Sequence, residues 1–145
     1  MPRRDVRGRT HCIRSSAGQT FGAWLPYART KPLLDRELRD SRTHSNGDLP
    51  RSVTGAEALF AEIRKRGVAR VTGQLNAANY GMSVPVFDRS GSIAAVLTAM
   101  GPTGSIDLTW TGPTAKSLRS TATELTHRIG GVPPATLVTA ITRKP

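Results

Sequence analysis

Residues 81–102, GMSVPVFDRSGSIAAVLTAMGP, decide the reading of this chain. Two apolar runs, Met82–Phe87 and Ile93–Met100, flank the polar break Asp88-Arg89-Ser90-Gly91-Ser92. Short aliphatic runs bounded by turn residues specify a β-hairpin. Asp88 and Ser90 can bond their own backbone, and Gly91 can take a positive φ, which closes the loop. Gly101-Pro102 ends the second strand, because proline cannot donate to a ladder. Apolar side chains at most positions of both runs imply burial on two faces, as central strands beneath helices.

Outward from the hairpin, helices and strands alternate. Upstream, SSAGQTFGAWL (15–25) reads as a helix with Ser15 or Ser16 as N-cap and with Ala17, Phe21 and Trp24 toward the core. Gly18 and Gly22, four apart, permit close approach by a strand or a ligand, and Pro26 ends the helix. A short helix over Lys31–Arg39 has Pro32 in its first turn and a Leu33, Leu34, Leu38 stripe. Residues 40–53 read as a loop. Thr54-Gly55-Ala56-Glu57 is a capping box that starts a third helix, with Ala58, Leu59, Phe60 and Ile63 inward and Gly67 as C-cap. Val68–Thr72 reads as a strand and 73–80 as a loop. Downstream, a helix over Pro113–Ile129 carries the stripe Ala115, Leu118, Ala122, Leu125, Ile129, with Gly130-Gly131 past its end. Residues 132–145 are either a loose tail or a weak strand over 136–142.

The chain's 145 residues suit one domain, and 37% hydrophobic with 5% aromatic residues implies a modest core. No run approaches the roughly 20 apolar residues of a membrane span. The basic N-terminus lacks the apolar region of a secretory signal. Cys12 is alone, which excludes an internal disulfide, fits a reducing cytoplasm and reads as a buried thiol. The net charge of +11 invites a nucleic-acid reading. Yet the basic residues are scattered, and Arg64-Lys65-Arg66 stands where a helix C-terminus favours cations. Arginine outnumbers lysine 17 to 4, a bias that a G+C-rich genome produces unaided. His11, His44 and His127 fall in separate segments without metal-ligand spacing, and Ser90-Gly91-Ser92 reads as a hairpin loop rather than a reactive serine turn. The expectation is a protein with no catalytic residues, metal or cofactor.

Four pieces, in order, resemble the C-terminal effector-binding domain of IclR-family bacterial transcriptional regulators. Arg14-Ser15-Ser16-Ala17-Gly18-Gln19 is similar to the family's small-residue helix start. Leu33-Leu34-Asp35-Arg36-Glu37-Leu38 is similar to the short helix that follows. Leu59 through Val68, LFAEIRKRGV, resembles the helix that leads into a strand. Val84-Pro85-Val86-Phe87-Asp88 through Ala94-Ala95-Val96-Leu97 to Gly101-Pro102 resembles the hairpin. The resemblance covers residues 8–130.

It implies an α+β fold of GAF-like type, an antiparallel sheet flanked by helices, with a small-molecule pocket on one sheet face. Matched to the family, the effector-binding positions are Thr10, Ser16 and Ala17 at the helix mouth, Val71, Asn79 and Gly81 at the strand entry, and Thr98 and Met100 on the last strand. Thr98 and Met100 are two apart and share a face. The departures bear on the ligand. Family members that bind small keto acids carry an acidic residue at position 71 and a hydroxyl at 100, Gln19 replaces a usual lysine, and Ile13 a usual histidine. Such a pocket favours a larger or more apolar ligand than a glyoxylate-sized acid. The resemblance also implies a winged helix-turn-helix head, which this sequence lacks, so DNA is expected to be reached only through such a head. An N-terminally truncated sheet leaves an edge for a homodimer or homotetramer to cover. The alternative is a basic protein that binds nucleic acid through surface charge, and salt-dependent retention on DNA separates the two.

Overall fold

The computed structural model describes residues 11–40, 49–72, 79–135 and 137. Three strands, β1 (Ala69–Thr72), β2 (Asn79–Phe87) and β3 (Ile93–Pro102), form an antiparallel sheet in the order β1-β2-β3. Helix α1 (Ser16–Trp24) lies on one face and α4 (Pro113–Arg128) on the other. Helices α2 (Tyr27–Arg39) and α3 (Val53–Arg66) pack behind α1, around Leu34, Ala56, Phe60 and Ile63. The α+β arrangement of an antiparallel sheet flanked by helices is as expected.

The hairpin closes where its turn chemistry places it. Asp88 N–H donates to the Ser92 carbonyl at 2.9 Å, Gly91 N–H to the Asp88 carbonyl at 3.1 Å, and Gly91 takes φ 79°. Asp88 Oδ1 accepts from the Ser90 hydroxyl and from the Ser90 and Ser92 amides. These bonds, the Ser90 hydroxyl first, hold the Asp88 carboxyl below its ordinary pKa. The two strands differ in burial, which corrects the expectation that both are central. From Gly81 to Phe87, β2 is buried throughout. In β3, Ala94, Ala95, Thr98 and Met100 are exposed, because among the described residues nothing pairs with its outer edge. Pro85 is tolerated in the central strand because β1 pairs only with Tyr80–Ser83, so no β1 carbonyl needs the missing N–H.

Helix boundaries and faces shift where packing overrides periodicity. In α1 the buried residues are Ser16, Gly18, Gln19, Thr20, Gly22 and Ala23, whereas Ala17, Phe21 and Trp24 are only partly buried. The inward side must be small. A Cβ on Gly22 would stand 2.5 Å from the Phe60 ring, and one on Gly18 would stand 1.2 Å from the His11 carbonyl oxygen. These glycines therefore admit α3 and the preceding segment, not a strand or ligand. Trp24 instead packs edge-on against Phe87, ring centroids 5.8 Å apart. Helix α2 starts at Tyr27, which places Pro32 inside it rather than in its first turn. The cap of α3 is Ser52, whose hydroxyl accepts from Gly55 N–H at 3.1 Å, not the Thr54 capping box, and Ala58 is exposed. In α4 the stripe runs Ala115, Leu118, Ala122, Thr126, leaving Leu125 and Ile129 exposed. Thr126 Oγ1 accepts from Phe87 N–H at 3.2 Å, and its carbonyl accepts from Gly131 N–H at 2.7 Å. Leu137 is buried against Phe87 and Ile93 and is helical, its N–H donating to the Pro134 carbonyl at 3.0 Å, so neither a strand nor a loose tail describes it; the other residues over 136–142 lie outside the described residues.

The segment before α1 is held by one buried carboxylate. Glu37 on α2 accepts from the Cys12 and Ile13 amides at 2.6 and 3.0 Å and from the Arg14 amide at 2.9 Å. His11 Nδ1 lies 3.5 Å from the same group. Gln19 donates to the Ile13 carbonyl at 2.6 Å, and Ser15, the N-cap, accepts from Gly18 N–H at 3.0 Å while donating to the His11 carbonyl. The amides of residues 12–14, the Ile13 carbonyl and the Ser15 hydroxyl of the turn thus all have partners within the domain.

Two measurements follow from this turn. Glu37→Ala leaves three amides without their acceptor, so urea denaturation should show a loss of at least ~3 kcal/mol, with Glu37→Gln milder because one acceptor oxygen survives. Burial pushes the Cys12 thiol from 9.0 up to about 11, the Glu37 carboxylate adding to the rise and Arg36 opposing it. The unfolded chain loses this proton above pH 9.0 while the folded chain keeps it to about pH 11, so stability falls as pH rises across that window. Cys12→Ala should remove that part of the pH slope in the same denaturation assay.

Candidate functional site

The strand register places the expected site residues on one surface. Val71 pairs with Gly81 and Gly81 with Met100, so these three form a row across all three strands. The next row is Ala69, Ser83 and Thr98. Both rows face α1, because alternate residues of β2 (Met82, Val84, Val86) pack against α4 instead. The first turn of α1 stands over these rows. A Cβ built on Gly81 would lie 3.1 Å from Ser16 Oγ and 3.7 Å from the Val71 side chain, so glycine is what lets the helix mouth approach the strand.

A line of hydroxyls crosses this surface. Ser16 Oγ lies 2.7 Å from Ser83 Oγ, which lies 2.8 Å from Thr98 Oγ1. Ser16 and Ser83 are buried, whereas Thr98 is exposed, so the line runs from the interior to solvent. Ser83 is the residue that the sequence reading missed. Its signal was a hydroxyl two positions from Gly81 in an otherwise apolar strand, facing the same way as Gly81 and Thr98. Met100 is 68% exposed and Ala17 partly buried. Asn79 pairs with Pro102 at the first position of β2. Thr10 and His44 lie outside the described residues.

The surface carries no ionisable side chain at positions 16, 17, 71, 81, 83, 98 or 100. Its polarity comes from three hydroxyls and from the first turn of α1, where N–H groups have no helical carbonyl to bond. Ser15 satisfies the Gly18 amide, which leaves those of Ser16 and Ala17 at the helix mouth. Such a set can hold an anionic or hydroxylated group by hydrogen bonds and can line the remainder of a ligand with hydrocarbon. Gln19, which stands for the family's lysine, and Ile13, which stands for its histidine, are both engaged in the Glu37 turn. Among the described residues no group of His, Cys, Asp or Glu side chains could hold a metal ion.

Several of the basic residues have structural partners. Arg64 donates to the Ala23 carbonyl at the end of α1 at 2.8 Å. Arg66 and Arg70 lie over the Trp110 ring, 4.6 and 3.8 Å from its centroid, and Arg70 donates to the Leu108 carbonyl. Burial, and then Arg66, lower the Arg70 pKa.

A three-stranded antiparallel sheet between α1 and α4, with the mouth of α1 over its central strand, is similar in fold to solved IclR-family transcriptional regulators. Among solved structures, Pseudomonas aeruginosa HmgR is 31% identical over 83% of this chain and 45% of its own, with a TM-score of 0.69. A putative IclR regulator from a Silicibacter species is 22% identical over 86% of this chain and 48% of its own, with a TM-score of 0.72. The C-terminal domain of the Escherichia coli regulator KdgR is 19% identical over 82% of this chain and 71% of its own, with a TM-score of 0.68. The chain therefore spans about half the length of HmgR and of the Silicibacter regulator. No protein-family model and no curated protein matches the sequence. No helix among the described residues is long and apolar enough to cross a membrane.

The hydroxyl line has a measurable energetic signature. Ser83→Ala strips Ser16 of a buried partner and should cost about 1–2 kcal/mol in urea denaturation. Ser16→Ala should cost a similar amount, and the double variant less than the sum, because both remove the same bond.

Proposed function

We propose that residues 1–145 form one non-catalytic, ligand-sensing domain of an IclR-type regulator, with the effector seated between the mouth of α1 and the β1-β2-β3 surface. The hydroxyl line from buried Ser16 through Ser83 to exposed Thr98 carries this reading. A row of hydroxyls in an apolar interior, beside helix amides, offers directional recognition that packing alone does not need. Ser16, Ala17, Gly81, Ser83 and Thr98 bind the polar end of the ligand, and Val71 and Met100 line its apolar part. Thr10 and Asn79 are the two further effector-contacting positions that the family match assigns. With valine at 71 and methionine at 100, the ligand is an aromatic acid or a more apolar metabolite, larger than a two-carbon keto acid. The domain works in the cytoplasm as a homo-oligomer, and ligand binding acts on how copies associate. DNA is contacted through a helix-turn-helix head of the kind the family carries.

A thermal-shift screen of the protein against aromatic and aliphatic carboxylic acids tests the reading. One class of acid should raise the unfolding midpoint, and Thr98→Val should abolish the rise. If instead the protein is held on DNA and released steeply between low and physiological salt, and no acid shifts it, the domain acts through its charge and the sensor reading is wrong.

A further inference from the structure

Beside the start of β1, an apolar cleft of about 280 Å3 opens between β2, α4 and Leu137. It shares no residue with the surface between α1 and the sheet. The cleft exists because β1 begins only at Ala69, opposite Ser83, leaving Val84, Pro85 and Phe87 without a neighbouring strand on that side. Ala122 on α4 and Leu137 close it. Its size, near the lower end of small-molecule pockets, suits a single ring with a short side chain.

Arg119 also lines this cleft. Its Nη1 donates to the Trp110 carbonyl and its Nη2 to the Arg66 carbonyl, each at 2.9 Å. Arg66 immediately precedes Gly67, which forms part of the cleft wall, so the guanidinium stands at that wall. Both acceptors are neutral, and three of the five guanidinium N–H groups stay available. Among the described residues no carboxylate pairs with Arg119, although burial lowers its pKa. A partly buried cation without a counter-charge, beside a hollow walled by hydrocarbon, matches an anion with an apolar body.

We propose that this cleft is a second ligand site, which takes a small apolar carboxylic acid with its carboxylate on Arg119 and its ring against Pro85, Phe87 and Ala122. Titration of the 15N-labelled full chain with 3-phenylpropionate tests it. The amides of Val84, Phe87, Ala122 and Thr123 should shift, and 3-phenylpropanol, which lacks the charge, should bind about tenfold or more weakly. Thr123→Phe, at an exposed position on the cleft wall, should block the shifts while preserving spectral dispersion, and Thr98→Val should leave them unchanged. Equal binding of the alcohol, or an absence of shifts at these four amides, overturns the proposal. So does loss of binding in Thr98→Val with retention in Thr123→Phe, which would seat the acid on the opposite surface.

Discussion

The Glu37 carboxylate fixes where the helix that caps the sheet begins. Three successive amides converge on it, so residues 12–14 can adopt only the path that brings their N–H groups to one point. That path delivers Ser15 into position as N-cap and starts α1 with Ser16 over Gly81 and Ser83. Gln19 closes the turn from the helix side by donating to Ile13. A buried ion is a poor source of net stability, since desolvating it costs about what its bonds return. Its value here is positional. A tilt of α1 by a fraction of a turn would separate Ser16 from Ser83, and the Glu37 turn opposes that tilt.

The sheet is asymmetric in a way that places the candidate site. β2 is buried on both faces, so its backbone is the most constrained in the domain, and Gly81 and Ser83 inherit that rigidity. Among the described residues β3 is an edge strand, and Thr98 and Met100 on it are exposed. A ligand on this surface would touch a rigid wall on one side and a deformable one on the other. The opposite face is closed by Met82, Val84 and Val86 against α4, with Thr126 bonded to the end of β2.

Local chemistry made much of this readable. The hairpin, the Gly67 cap, the Ser15 cap and the proline start of α4 all depend on residues within a few positions of one another. Readings failed where the deciding contact is distant in the chain. The inward face of α1 is small because Phe60 and His11 crowd it, and nothing within residues 15–25 announces that. Thr126 displaced Leu125 from the buried stripe because the Phe87 amide needs an acceptor. β3 read as central because apolar composition does not record whether a strand lies beside it, and among the described residues none does on its outer side. For the site, the matched positions Val71, Gly81, Thr98 and Met100 fall on one surface through the register alone, yet Ser83, which joins Ser16 to Thr98, was legible only once the strands were paired.

Arg119 and Arg64 give a different meaning to the abundance of arginine in this chain. One guanidinium spans two carbonyls from separate segments, that of Trp110 and that of Arg66, and so fastens α4 to the loop before it and to the end of α3. A lysine ammonium is a compact point donor on a flexible stem and lacks the planar fork that reaches both acceptors at once. Nucleotide bias can supply arginine at a surface position where either cation serves, but at residue 119 the two are not interchangeable. Drift of that codon toward lysine would therefore break one of the two ties that hold α4 in place.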